Sequence, residues 1–411
     1  MRILLITNTV PYPPHSGAPL YTYSLLRRVA NHHEVSLACF QDLGQEAAVA
    51  HLSQYCRDIV TAPTPPNSAL ARPLDLFRYM IRGSPPDLRF YESPELTEKI
   101  KGLAQLRGFD VVHIDHSEMG IYLEALPSAL ARRSIWGLHD VDWIKFARIS
   151  RLESRLTRKL RTGLHGLMMH RWKPRYAEYF ACCSTVSEVD RQLMQDANPR
   201  LRVEVISTGV DTEFIRPLPD KQMNIPSLIF VGNMSYRPNI DAMRFFTTEI
   251  LPLIRRVIPK IELWIVGTNP VPEIFRLEGN GVHVTGEVAD LQPYYGRSSV
   301  FIVPLRAGGG SRLKILEAMA YGRAVVSTKI GCEGQGFRDG EHLLIADHPA
   351  EFAAKTVGLL RDQALRTAIV SKARQAVVEE YDWNRIADRL MALYQGVTNE
   401  LEATHGLEKT V

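Results

Sequence analysis

The chain is 411 residues long, 45% hydrophobic and 23% charged, with a formal net charge of +4. That length exceeds one ordinary core and suits two α/β domains of roughly 200 residues each, while so small a charge excess does not describe a nucleic-acid binder. The five cysteines, Cys39, Cys56, Cys182, Cys183 and Cys332, form no Cys-x-x-Cys pair and no metal-ligand cluster with histidine, and no apolar run reaches the ~18 residues of a membrane span, which together predict a reducing, cytoplasmic setting.

Arg2 to Thr7 has the makeup of a buried strand, a loop through Gly17 leads into a helix over about Leu20 to Ala30, and Val35 to Phe40 is the next strand. This is the βαβ opening of a Rossmann-like half, whose first loop lies where such sheets bind ligands. From Ala62 to Pro86 prolines are frequent and periodicity is poor, predicting a surface excursion before a helix near Ser93 to Arg107. The stretches Asp110 to His116 and Arg133 to Asp142 read as buried strands that end in polar groups. His113, His116 and His139 therefore fall at or just beyond strand ends, with Asp142 in the turn after His139; His116 and Asp142 are candidates for acceptor contact. No His-x-x-x-His or facial arrangement is readable, and no metal is expected.

Arg148 to Arg175 is dense in arginine, and Ile149, Leu152, Leu156 and Leu160 recur at helical spacing, predicting an amphipathic basic helix. It reads either as a solvated face or as a peripheral contact with anionic membrane or a lipid-pyrophosphate acceptor. Pro217, Pro219 and Pro226 mark a linker, so the first domain is expected over 1–208 and the second over 209–382, with a closing helix and tail over 383–411.

The second half repeats the pattern. Leu228 to Gly232 is a strand ending in glycine, followed by a helix over Ile240 to Ile258 and by strands at Glu262 to Val266, Val282 to Thr285, Val300 to Val303, Ala324 to Ser327 and Leu343 to Ala346. Between two of these lies Gly308-Gly309-Gly310-Ser311-Arg312-Leu313-Lys314, then a helix that carries Glu317 and stops at Gly322. A glycine-rich turn from a strand's carboxyl end into a helix's amino end presents unpaired N–H groups and a positive dipole end, which suits a phosphate. Arg312 and Lys314 add cationic side chains, and Glu317 supplies a carboxylate able to take two ribose hydroxyls. As alternatives, the glycines serve tight packing alone and Lys314 with Glu317 is a surface ion pair.

The string Glu317 to Val326, Glu-Ala-Met-Ala-Tyr-Gly-Arg-Ala-Val-Val, resembles the donor-nucleotide signature of the retaining glycosyltransferases of family four, which have the GT-B fold. The family's usual first glutamate falls at Gly309, so the chain resembles a subgroup with Gly-Gly-Gly-Ser-Arg-x-Lys in that place. The resemblance implies two Rossmann-like domains facing across a cleft, with a C-terminal helix crossing back to the first. It implies donor-binding roles for Gly17 in the first loop, for Gly232, Asn233 and Arg237 after the first strand of the second domain, for Val288 beside the base, and for Gly308, Gly309, Gly310, Ser311, Arg312, Lys314 and Glu317. His139, followed by Asp140, matches the family's strand-end histidine and is expected with Glu317 in catalysis.

The implied reaction moves a sugar from a nucleotide diphosphate sugar to a hydroxyl of a saccharide or lipid-linked saccharide, with retention and without metal or other cofactor, in cell-surface polysaccharide or glycolipid assembly. A nucleotide-sugar epimerase of the same fold, or a silent nucleotide-sugar-binding subunit, is the alternative. No Gly-x-Gly-x-x-Gly follows the first strand, which argues against a dehydrogenase.

Overall fold

The computed structural model describes residues 1–14, 17–66, 83–152, 155–219, 226–308 and 312–408. The chain divides into two compact units, one of residues Met1–Ser207 with Asn384–Val411 and the other of Thr208–Trp383.

The first unit is built on β1 (Arg2–Thr7), α1 (Gly17–Val29), β2 (Glu34–Gln41), α2 (Glu46–Leu52), β3 (Cys56–Pro63), α3 (Pro94–Leu106), β4 (Val111–Asp115), β5 (Ser134–Leu138), α4 (Asp142–Leu152), α5 (Leu156–Tyr176), β6 (Cys182–Thr185), α6 (Glu188–Ala197) and β7 (Val203–Val205). The strands form one sheet in the order β3-β2-β1-β4-β5-β6-β7, and every pair is parallel. The central strands β4 and β5 are buried at every residue because helices cover both faces of such a sheet, so they read as apolar runs rather than alternations. Helices start where the sequence places caps: the Ser93 hydroxyl accepts from Leu96 N at 3.2 Å with Pro94 in the first turn, and the Ser187 hydroxyl accepts from Asp190 N at 3.1 Å.

Strand β3 was hidden in the sequence. It lies at the sheet edge with four half-buried residues in a row, so Cys56-Arg57-Asp58-Ile59-Val60-Thr61-Ala62-Pro63 shows no apolar run. Most of the proline-rich excursion, residues 67–82, lies outside the described residues. The basic stretch is a hairpin of two helices, α4 and α5, rather than one helix. Phe146 meets His165 edge-on at 4.4 Å, Trp143 meets His170 at 5.2 Å, and Gly166 lies against Phe146 and the Trp143 backbone.

The second unit contains β8 (Ser227–Val231), α7 (Arg237–Phe245), β9 (Glu262–Val266), β10 (Val282–Gly286), β11 (Val300–Val303), α8 (Leu313–Ala320), β12 (Ala324–Ser327), β13 (Leu344–Ile345), α9 (Pro349–Arg361) and α10 (Gln363–Glu380). Its sheet has the order β10-β9-β8-β11-β12-β13, again parallel throughout. The helix expected over 240–258 is interrupted: after α7 comes a π turn at Phe246–Ile250, then a short helix at Leu251–Arg255. Pro252 has no N–H for the ladder and its ring crowds the preceding turn, so the backbone widens there.

The closing helix α11 (Trp383–Glu408) belongs, from Asn384 on, to the first unit. Ile386, Leu390, Leu393, Tyr394 and Val397 are buried, the Tyr394 hydroxyl lies 2.7 Å from His113 Nδ1, and Arg28 donates to Asn384 at 2.7 Å.

Candidate functional site

Each sheet has one position where the strand order reverses, between β1 and β4 in the first unit and between β8 and β11 in the second. Parallel sheets of this kind bind ligands outside the carboxyl ends of the strands at such a position, because neighbouring loops diverge and leave a crevice. Most of the residues singled out from the sequence lie at these two places.

In the second unit, β8 ends at Val231 and β11 at Val303. Gly232 follows β8, and a Cβ there would come within 2.9 Å of both Lys314 Nζ and Asn239 Nδ2, so glycine makes room for the lysine. Lys314, in the first turn of α8, is half-buried; its ammonium donates to Asn239 Oδ1 at 3.2 Å and sits 4.1 Å above the Phe230 ring. Asn239 is held in turn by the hydrogen bond that its Nδ2 donates to Asn233 O at 2.8 Å. Burial, reinforced by the neighbouring Arg312 charge, lowers the Lys314 pKa to about 7.

One turn along α8, Glu317 accepts from the Tyr295 hydroxyl at 3.1 Å. Burial raises its pKa to about 7, against the stabilising hydrogen bond. Lys314 and Glu317 are not an ion pair: each finds a neutral partner, and neither charge neutralises the other. Arg312 is buried at the start of α8, with its carbonyl accepting from Gln335 Nε2 at 2.9 Å. Gly308 has φ +122°, left-handed space that favours glycine, and a Cβ there would lie 2.9 Å from Arg312 Nη2. Gly309, Gly310 and Ser311 lie outside the described residues.

Asn233 is exposed and turns its side chain onto Ser235, accepting from N at 2.9 Å and Oγ at 2.7 Å. Arg237 is half-exposed at the start of α7, 3.6 Å from Glu273. Val288 packs its side chain against the core of this unit.

In the first unit the centre of the rim is a residue that the sequence analysis passed over, Asp115, the last residue of β4. It is buried, accepts from His139 Nε2 at 2.7 Å on one oxygen and from the Thr22 hydroxyl at 2.5 Å on the other. The His116 ring stacks on His139 at 4.3 Å, and Tyr21 meets His139 edge-on at 4.7 Å. Burial works against the charge, but three nearby histidines, His139, His116 and His113, with the hydrogen bond to His139, outweigh it and hold Asp115 well below the usual carboxylate range; Asp115 in turn raises the His139 pKa against burial. His116, with φ 77°, is lowered to about 4 by burial and is neutral at pH 7.

Gly17 is the exposed first residue of α1, five residues ahead of Thr22, with open space around it. His113 lies inside β4 rather than at its end, bound to Tyr394. Asp142 is drawn into a buried ion cluster, paired with Lys173 and with Lys145 at 2.9 Å, while Lys173 also donates to Ser117 Oγ at 2.7 Å and Asp140 O at 3.2 Å.

Ligand atoms of Asp115, His116 and His139 lie within 4.8 Å of one another. Both Asp115 oxygens are already engaged, and the two rings lie face to face, an arrangement of a hydrogen-bonded acid–imidazole pair. An acid as the last residue of a strand rich in Val and Ile is the signal that would have found Asp115. Asn239, Tyr295, Thr22 and Lys173 carry no such signal, because distant stretches bring them to the site.

Residues 15–214 match the family profile described as Glycosyltransferase Family 4, and residues 225–362 match the one described as Glycosyl transferases group 1. Over 169 residues the chain is 30% identical to an uncharacterized 44.6 kDa protein in the cps region of Klebsiella pneumoniae, a match covering 39% of this chain and 44% of that protein. It is 28% identical to the phosphatidyl-myo-inositol mannosyltransferase of Mycolicibacterium smegmatis over 223 residues, covering 52% and 56%. The chain thus spans about half the length of these curated relatives.

Among solved structures, sucrose-phosphate synthase from Thermosynechococcus elongatus superposes with a TM-score of 0.72 at 18% identity, over 97% of this chain and all of that one. Anabaena HepE in complex with UDP-glucose superposes with a TM-score of 0.66 at 17% identity, over 98% and 100%. Two parallel α/β units with a returning C-terminal helix define the GT-B architecture. Residues 15–214 and 225–362 thus resemble glycosyltransferase family 4 and group 1 domains, and the fold is that of the GT-B structures.

Proposed function

We propose that the protein moves a sugar from a nucleotide diphosphate sugar to a hydroxyl of a saccharide or lipid-linked saccharide, with retention at the anomeric carbon, in assembly of a cell-surface polysaccharide or glycolipid. The observation that carries the reading is the Lys314 environment. A half-buried ammonium beside Arg312, held by a neutral amide at the reversal point of a parallel sheet, is costly unless an anion arrives. The diphosphate is that anion, and Glu317 one turn away takes the ribose hydroxyls. Gly308 to Ser311 add backbone donors to the phosphates, Gly232 admits the ligand next to Lys314, and Arg237 stands at the mouth of the same loop.

In the reaction the anomeric C–O bond breaks with its electron pair passing to the diphosphate oxygen. The acceptor hydroxyl forms the new C–O bond on the same face and gives its proton to that leaving oxygen. Arg312 and Lys314 stabilise the departing charge, and donors placed in advance of the charge carry the larger part of such catalysis. His139, oriented by Asp115, whose carboxylate favours the protonated imidazole, keeps the catalytic role that the resemblance implies. The reading uses no metal, since side-chain cations and backbone N–H groups meet the diphosphate. HepE, of the same fold, holds UDP-glucose, so UDP-sugars are the first donors to try.

The test is thermal stabilisation by UDP, GDP, ADP and dTDP on the wild type and on Glu317→Ala. At a hundredfold its dissociation constant one nucleotide adds about 2.7 kcal/mol, and that shift is expected to vanish in the variant. No shift with any nucleotide overturns the donor site. Turnover of the matching donor without acceptor would favour the epimerase-like reading, and binding without turnover on any donor a silent subunit. The anomeric proton coupling in the product, read by NMR, checks retention.

A further inference from the structure

Large apolar side chains exposed on this protein are mostly single, but four of them, Leu156, Leu160, Leu164 and Leu167, lie on α5 at exposures of 68, 64, 60 and 47%. At about 100° per residue the four fall within a stripe roughly 80° wide and about 16 Å long. From Gly166 on, the opposite face of α5, with Gly166, Met169 and Lys173, is buried, while residues 156–161 are exposed on every side. The leucine face is therefore the helix's outer surface, and a soluble protein gains nothing by presenting it to water.

The charge around the stripe is of one sign. Helix α5, Leu-Thr-Arg-Lys-Leu-Arg-Thr-Gly-Leu-His-Gly-Leu-Met-Met-His-Arg-Trp-Lys-Pro-Arg-Tyr, contains no Asp or Glu. Of its Lys and Arg residues only Lys173 is buried; Arg158, Lys159, Arg161, Arg171 and Arg175 are exposed. Those five charges exceed the net +4 of the entire chain, so the excess is concentrated here. Lys159 stands roughly a quarter-turn to one side of the stripe and Arg161 roughly a quarter-turn to the other.

From this juxtaposition we infer that α5 is a docking surface for an anionic lipid bilayer, its leucines inserted at the headgroup boundary and its cations on the lipid phosphates. An apolar stripe with flanking cations is the pattern of a helix lying in the interface plane. Charge selects this occupant over a second copy of the chain, because a twofold pairing through the stripe brings the four flanking cations, Lys159, Arg161, Arg171 and Arg175, against four. The surface lies on a different unit from the nucleotide site and stands independently of the transfer reading.

The test is flotation of the full-length protein with vesicles of phosphatidylcholine alone and of equal parts phosphatidylglycerol and phosphatidylcholine. The wild type is expected to float only with the anionic vesicles. Leu160→Ser with Leu164→Ser, and separately Lys159→Glu with Arg161→Glu, are each expected to lower the bound-to-free ratio at least about tenfold. Both pairs are exposed, so an unchanged melting temperature and circular dichroism spectrum accompany the loss. Binding that survives the leucine variant overturns the proposal, as does failure of the wild type to bind anionic vesicles. A concentration-dependent dimer in sedimentation velocity that the leucine variant abolishes, without vesicle binding, assigns the face to self-association and overturns it as well.

Discussion

Lys314 carries a cost in the ligand-free protein that its function recovers. Its pKa, lowered to about 7 in the folded state, means the unfolded chain binds more protons between that value and the ordinary 10.5, so this group's penalty shrinks as pH rises through that window. Lys314→Met removes the penalty, and we expect the melting temperature at pH 7 to rise by about 2–4 °C in calorimetry while nucleotide stabilisation disappears. A diphosphate restores the charge, so at pH 8 nucleotide binding should take up a proton. Calorimetry in buffers of different ionisation enthalpy reads that uptake, and it should be absent in Lys314→Met. His139 behaves oppositely. Its raised pKa contributes stability that is present below the ordinary 6.5 and lost as pH rises through the folded value, while the lowered Asp115 contributes stability lost as pH falls. If transfer uses the imidazolium, activity falls on the alkaline side, and Asp115→Asn should move that limb to lower pH and cut turnover by about 100-fold with nucleotide affinity kept.

Whole elements are set by buried contacts of a few residues. Lys173, fully buried in α5, binds Asp142, Ser117 and Asp140 O, joining the loops after β4 and β5 that carry His116 and His139. Lys173→Met leaves the buried Asp142 with Lys145 as its one remaining cation and strands the Ser117 hydroxyl, so it should cost about 3 kcal/mol in urea unfolding, and adding Asp142→Leu should recover part of it. The strand ends place the reactive groups with little slack: a Cβ at Gly137 would lie 2.8 Å from Asp115 Oδ1 and 3.0 Å from His113 Nε2. Gly137→Ala should therefore displace the Asp115–His139 pair and lower turnover more than it lowers the melting temperature. The elements were read from sequence to within a few residues wherever they are buried on both faces, as in β1, β4, β11 and β12. They were missed at the sheet edge, as in β3, and misjoined at α4 and α5, where leucine spacing runs on through a chain reversal.

At the scale of the molecule the chain's end completes its beginning. Helix α11 buries Ile386, Leu390, Leu393 and Tyr394 in the first unit, and Tyr394 holds His113 in β4. Ending the chain after Trp383 should strip that cover and leave the first unit protease-sensitive, while the second unit, Thr208–Trp383, keeps its own core and resists digestion; limited proteolysis with mass spectrometry reads both. Among the described residues no helix is long and apolar enough to cross a membrane.

Two parallel-sheet halves, the helix that carries Glu317 and stops at Gly322, and the strand-end His139 were determined by the sequence itself. Buried parallel strands need unbroken apolar runs, left-handed turns need glycine, and helix starts need caps, and these are local demands visible in a local string. What only the tertiary structure decided is which distant groups share an environment. Lys314 rests on Phe230 and Asn239, Glu317 on Tyr295, and His139 on Asp115, which Thr22 also holds. The leucines of α5 are surface because α4 takes the opposite face. Burial and pairing belong to the folded arrangement, and with them the shifted pKa values and the exposed stripe, because each depends on what stands opposite a residue and not on what precedes it in the chain.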